Sequence, residues 1–109
     1  MSAPIEVDIC VIGAGSGGLT VAAGASQLGV SVALVERDLM GGDCLNYGCV
    51  PSKALLAAGK AAHNIETAGR FGISGGLLEV DTKAVRQHVR GVVAGIAPHD
   101  SVERFRALG

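Results

Sequence analysis

Apolar positions recur along the chain in two periods, and the changes of period mark its elements. In residues 5–12, Val7, Ile9 and Val11 alternate with Asp8, Cys10 and Ile12, so both faces are mostly apolar. That pattern predicts a strand inside a parallel sheet, with Cys10 as a buried small hydrophobe. Residues 19–28 form an alanine-rich helical run stopped by Gly29, and residues 30–35 predict a second strand that ends at Glu36.

The second half has helical spacing. After a loop at 37–43, Leu55, Leu56, Ala58, Ala62 and Ile65 give a broken apolar face to a helix from 53 to about 68. Pro51 fits its first turn, where a missing N–H costs little. Residues 69–76 are turn-rich, with a short strand expected at 71–74. Asp81 is placed to cap a further helix. Its inner face carries Val85, Val89, Val92, Val93 and Ile96, and its outer face Arg86, Gln87 and Arg90. Pro98 breaks the pattern and Val102, Phe105 and Leu108 resume it, so a kink or a second helix is expected there.

Composition sharpens this α/β reading. Hydrophobic residues make up 49% of the 109 and charged residues 17%, which predicts a packed core, in one small domain at most. Glycine is frequent, at 17 residues, and aromatics scarce, at 3%, so close backbone approaches and small side chains dominate. A net charge of −1 offers no attraction for nucleic acid or an anionic membrane surface, and neither is an expected partner. No apolar run is long enough for a membrane helix. The first apolar run lacks a basic lead and contains Asp8, unlike a secretory signal. Three cysteines do not make a disulfide-stapled framework, and a cytoplasmic location is expected. His63, His88 and His99 are scattered, without metal-ligand spacing, and are expected on the surface or on helix faces.

Between the two strands lies Gly13-Ala14-Gly15-Ser16-Gly17-Gly18, with glycines at the three places of GxGxxG. Gly13 permits the turn out of the strand, Gly15 lets a pyrophosphate approach the backbone, and Gly18 lets the next helix pack against the sheet. The helix start would face the phosphates with its N–H groups and positive dipole end. Glu36 stands about twenty residues on, where the dinucleotide fingerprint asks for an acidic residue to hold a ribose hydroxyl. The plainer readings are an ordinary strand-to-helix turn and a solvated charge at a strand end. Together the features predict a dinucleotide-binding βαβ start.

Residues 41–53 read GGDCLNYGCVPSK. Cys44 and Cys49 have four residues between them and can close a small disulfide ring if the chain turns, which Gly41, Gly42 and Gly48 permit. Structural zinc would need two more ligands, with only Cys10 remaining, and a pair of unrelated buried thiols is the plain alternative. A redox pair needs a neighbourhood that stabilises a thiolate. Cys49 stands just ahead of the predicted Pro51 helix, and Lys53 adds a positive charge one turn on.

This stretch resembles the redox signature of the class I pyridine nucleotide–disulfide oxidoreductases, the family of dihydrolipoamide dehydrogenase, glutathione reductase and mercuric reductase. VIGAGSGG and VALVE resemble the FAD-binding start of the same family, and the likeness covers roughly residues 5–60 with specific motifs. It implies a Rossmann-like FAD/NAD(P)-binding fold, here its N-terminal half, with an incomplete parallel sheet flanked by helices. Gly13, Gly15, Ser16, Gly17 and Gly18 would surround the FAD pyrophosphate and Glu36 the adenosine ribose, with Arg37, Gly42 and Asp43 also at the cofactor. Cys44 would be the interchange thiol and Cys49 the charge-transfer thiolate against the flavin. Lys53 would tune the flavin's reactive nitrogen.

The resemblance further implies electron flow between NAD(P)H, FAD and the Cys44–Cys49 disulfide, a role in cell redox homeostasis, and a small disulfide, dithiol or metal-ion substrate. A homodimer is implied for the full-length family. Asp43 and Tyr47 stand where threonine and valine are usual, and with VPSKALL they lean towards mercuric reductase. Asp43 is expected to point away from bound phosphates or to reach them through water. Family members are several times longer, so residues 1–109 are expected to be the N-terminal part of an FAD-binding domain, a fragment that binds FAD weakly or not at all. A non-catalytic nucleotide-binding module and an NAD-binding dehydrogenase domain are the alternatives.

Overall fold

Two short polar side chains start the parallel pairing. In the computed structural model, which describes residues 2–109, the Asp8 carboxylate accepts from the Ser31 N–H at 3.1 Å and the Ser31 hydroxyl at 2.6 Å. The Asp8 N–H donates back to the Ser31 Oγ at 2.9 Å. Beyond this clasp, β1 (Ile9–Ile12) runs parallel to β2 (Val32–Val35), with Ile9 opposite Val32 and Ile12 opposite Val35. Both strands are shorter than the sequence predicts. Residues 5–7 precede the point where β2 begins, so their peptide groups have no ladder to join.

Helix α1 (Ser16–Gln27) connects the strands and ends ahead of Gly29, whose φ of 81° turns the chain back. It covers one face of the sheet: a Cβ on its Gly18 would stand 3.2 Å from Val11 Cγ1. Cys10 alternates to the opposite face and is exposed, against the expectation of a buried thiol, and Ile12 on that face is 85% exposed. The sheet has two strands and a helix on one side, so half of each strand's apolar pattern remains uncovered.

The rest of the chain is helical. Helix α2 (Gly42–Asn46) takes up part of the expected loop, and α3 (Cys49–Thr67) begins four residues earlier than predicted, with Gly48 as its N-cap. A 3-10 turn, Ala68–Phe71, follows. No strand forms at 71–74: the Gly72 and Ile73 N–H groups bond to the Gly69 and Ala68 carbonyls, and Gly72, at φ 77°, closes the turn. Helix α4 (Thr82–Ile96) is capped as expected, the Asp81 carboxylate accepting from the Ala84 N–H at 3.1 Å. At Pro98 a 3-10 turn, Ala97–Asp100, leads into α5 (Val102–Leu108), capped by Ser101. His63, His88 and His99 are all exposed.

Helices α3 and α4 pack side by side, with Ala58 and Gly59 facing Val85 and Val89 across a cleft. Val85, Val89, Val92 and Val93 are half-buried, as their spacing predicts, whereas Leu55 and Leu56 of α3 remain 56% and 71% exposed. The packed core that the composition predicts reduces to Ala14, Leu19, Ala22, Leu45 and Ala54. The radius of gyration is 20.2 Å, where a compact domain of this length has roughly 13 Å. The accessible surface is 8069 Å², against about 5,600 Å² for a compact monomer of this mass. No helix among the described residues is long and apolar enough to cross a membrane.

The Ser31 hydroxyl and N–H hold the Asp8 carboxyl below its ordinary range. The clasp therefore adds stability above the unfolded-state pKa of about 3.9 and loses it as pH falls through the lower folded value. Asp8→Ala is expected to lower the melting temperature at pH 7, and thermal melts of both proteins should converge as pH falls through the lowered folded value. A gap that persists in acid would contradict this account.

Candidate functional site

The carboxyl ends of β1 and β2 open onto a cavity of about 480 Å³, in the size range of small-molecule sites. Gly13 begins its floor. Its φ is 105°, a conformation that side chains rarely adopt, and its N–H extends the ladder to the Val35 carbonyl at 2.7 Å. A Cβ on Gly18 would collide with the Gly13 carbonyl oxygen, so α1 starts in direct contact with the strand exit. A Cβ on Gly15 or Gly17 would meet nothing within 4 Å. No side chain caps α1, which leaves the N–H donors of its first turn bare.

Glu36 closes the turn from the second strand. One carboxylate oxygen accepts from the Ala14 N–H at 2.8 Å and the other from the Asp38 N–H at 2.9 Å. The Ala14 N–H, then the Asp38 N–H, hold its carboxyl below the usual range, so it is ionised at neutral pH. Glu36 is thus tied into the site, against the plain reading of a solvated charge. Its remaining lone pairs are free to accept further hydrogen bonds.

The loop from Gly41 to Cys49 packs onto the glycine turn. The Gly41 N–H donates to the Ala14 carbonyl at 2.8 Å, and a Cβ on Gly42 would stand 2.8 Å from Gly15 Cα. Gly41 and Gly42 have φ values of 93° and 58°. Cys44 lies in α2 and Cys49 is the first residue of α3. Gly48 joins the two helices so tightly that a Cβ there would be 3.0 Å from the Asp43 carbonyl oxygen.

Both cysteines are free thiols, Cys44 half-buried and Cys49 exposed, and a Cβ on Gly48, the residue before Cys49, would stand 3.6 Å from Cys44 Cα. The neighbouring Cys49 thiol, and partial desolvation after it, push the Cys44 thiol up. Lys53 and the Cys49 backbone N–H, the first donor of α3, act in the opposite sense.

Gly13, Glu36, Arg37, Gly42 and Asp43 therefore surround one groove. Cys44 and Ser16 share a second cavity of about 350 Å³ with Thr20 and Arg104. The walls of both leave out Cys49 and Lys53, on the exposed first turn of α3. Asp43, expected at the cofactor but turned from the phosphates or reaching them through water, stands exposed on the groove wall beside Tyr47. It sits in the first turn of α2, where a carboxylate faces unpaired N–H groups. Sequence reasoning passed over Ala14, whose peptide bonds at both ends, and gave no role to Asn46, whose amide grips the cysteine-bearing loop. The available signal for Asn46 was its place two residues after Cys44, where the redox signature that the stretch resembles carries an asparagine.

The pattern that defines the pyridine nucleotide-disulphide oxidoreductases matches residues 7–105. The chain belongs to that family. Among pyridine nucleotide-disulphide oxidoreductases it is similar to a dihydrolipoyl dehydrogenase of Bacillus subtilis, 46% identical over 90 residues covering 83% of this chain and 19% of that protein. A dihydrolipoyl dehydrogenase of Halobacterium salinarum is 52% identical over 66 residues, 61% of this chain and 14% of that protein. A mercuric reductase of Streptomyces lividans is 52% identical over 64 residues, 59% of this chain and 14% of that protein. The chain thus spans about a fifth or less of the length of these relatives.

The contact between Gly18 and the Gly13 carbonyl gives a direct test. Gly18→Ala should lower stability by about 1–3 kcal/mol, as overpacking at a backbone contact does, read from the denaturation midpoint. Gly17→Ala, where the added methyl meets open space, should stay close to wild type.

Proposed function

We propose that the chain is the N-terminal FAD-binding and redox-dithiol part of a flavin-dependent oxidoreductase that reduces a small disulfide or metal ion or oxidises a small dithiol. The observation that carries this reading is that Gly48 draws the start of α3, with Cys49, against Cys44 on a loop bonded to the glycine turn. A pair of incidental cysteines has no reason to meet at the mouth of a dinucleotide fold.

The residues present fit FAD. Bare N–H groups from Gly15 to Gly18 and the open space at Gly15 and Gly17 suit a pyrophosphate. Gly42 and Asp43 line the groove with Gly13, and Glu36, with Arg37 beside it, supplies acceptors there for ribose hydroxyls. Lys53 brings positive charge to the cysteine side. FAD, when bound, supplies the two-electron exchange that links NAD(P)H to the cysteines.

The chain's own part is to hold and move protons and to break one bond. Opening of a Cys44–Cys49 disulfide takes up two electrons and two protons, and its closure releases them. Cys44 keeps its proton in the dithiol and borders a cavity, so it is the thiol that meets the substrate, and it attacks once that proton leaves. Cys49 stays with the rigid start of α3. The NAD(P)H site and a homodimeric partner surface belong, on this reading, to the longer protein.

Thiol counting tests the proposal. Fully reduced protein should titrate three thiols, and mild oxidation should leave one, Cys10, with a Cys44–Cys49 cross-link in the peptide map. Three thiols surviving oxidation would favour a non-catalytic nucleotide-binding module. Titration with FAD, followed by flavin fluorescence, should show weak binding, because the small core leaves the groove poorly supported. Tight stoichiometric binding would refute that expectation.

A further inference from the structure

We infer that Asn46 is the positioning residue of the dithiol: its side-chain amide holds the turn from which Cys44 reaches Cys49. The inference rests on reading the two cysteines as a redox pair. Helix α2 has five residues, far fewer than a helix needs to persist by its own hydrogen bonds. It opens on two left-handed glycines, Gly41 and Gly42, which the surroundings must hold in place. Leu45, 3% exposed, anchors one side, and the Gly41 N–H anchors the backbone to Ala14.

The third anchor spans both glycines. Asn46 Nδ2 donates to the Gly42 carbonyl at 2.8 Å and to the Met40 carbonyl at 3.2 Å. Both partners are carbonyl oxygens, so the amide NH₂ must be the end that faces the turn. A carboxylate makes neither bond, and a methyl group makes neither.

Cys44 lies between the gripped Gly42 and Asn46 itself. Release of the two carbonyls frees that segment, whereas Cys49 remains on the 19-residue α3. The separation of the thiols is therefore set from the α2 side. Gly48 marks how close the two sides come, since a Cβ there would stand 3.6 Å from Cys44 Cα.

The test compares wild type with Asn46→Ala, Asn46→Asp and Asn46→Gln in glutathione redox buffers. As the Cys44–Cys49 bond forms, the cysteines give up two electrons and two protons and one glutathione disulfide becomes two glutathione thiols. Alkylation and peptide mass analysis give the closure constant, Cys10, exposed in the fold, is the internal reference for thiol reactivity, and circular dichroism reports on general unfolding. The Ala and Asp variants should lower the closure constant about tenfold, the scale of two lost hydrogen bonds, with Gln recovering part of it. The pH midpoint of Cys44 alkylation should fall towards that of an ordinary thiol, and the Cys10 rate should not change.

Closure constants within about twofold of wild type in both variants would overturn the role of Asn46 alone. Loss of helical circular dichroism in both variants would make Asn46 a folding residue and also overturn it. A wild-type chain that closes no Cys44–Cys49 disulfide would remove the redox reading itself, and this inference with it.

Discussion

The Ala14 peptide is gripped from both ends, and the site depends on that grip. Its N–H donates to Glu36 at the end of β2, and its carbonyl accepts from Gly41 at the start of the redox loop. One fully buried peptide thereby joins the glycine turn, the acidic residue and the cysteine-bearing helix. The N–H bond to Glu36 is charge-assisted and so stronger than a neutral one. Movement of any of the three segments breaks one of these bonds.

Around that peptide the backbone does most of the work. Gly13, Gly41 and Gly42 take positive φ, and Gly18 and Gly42 lie against other backbone atoms. Side chains are thereby kept away from the α1 start, which is what an anion needs. The two cysteines follow the same principle, since Gly48 brings the start of α3 close against α2. The neighbouring Cys49 thiol raises the Cys44 thiol while Lys53 and the α3 N–H oppose the rise. The pair's reactivity is thus a balance among neighbours on different elements.

Elsewhere the structure is thinly packed. The buried residues cluster beside Ala14 and along α1, while the outer face of the sheet and much of α3 are exposed. Local order is held by polar clasps and caps, Asp8 with Ser31, Asp81 with Ala84 and Ser101 with Arg104. Such bonds set where elements begin and add little net stability each.

Much of the site was legible before any coordinates, because the motifs depend on local conformation. Glycine placement, the Asp81 cap and the Pro98 break act within a few residues, and each appears where its chemistry predicts. The two-strand start and the α4 apolar stripe were legible from periodicity for the same reason. Partners distant in sequence were not. Cys10 is exposed because no element covers its face, and residues 71–74 form a turn because no strand pairs with them. The sequence by itself determined which residue types bear the chemistry and the local turns they occupy. Only the tertiary structure decided that Glu36, Ala14 and Gly41 bond together and that Asn46 closes the redox loop, since those contacts exist only once the chain has folded back on itself.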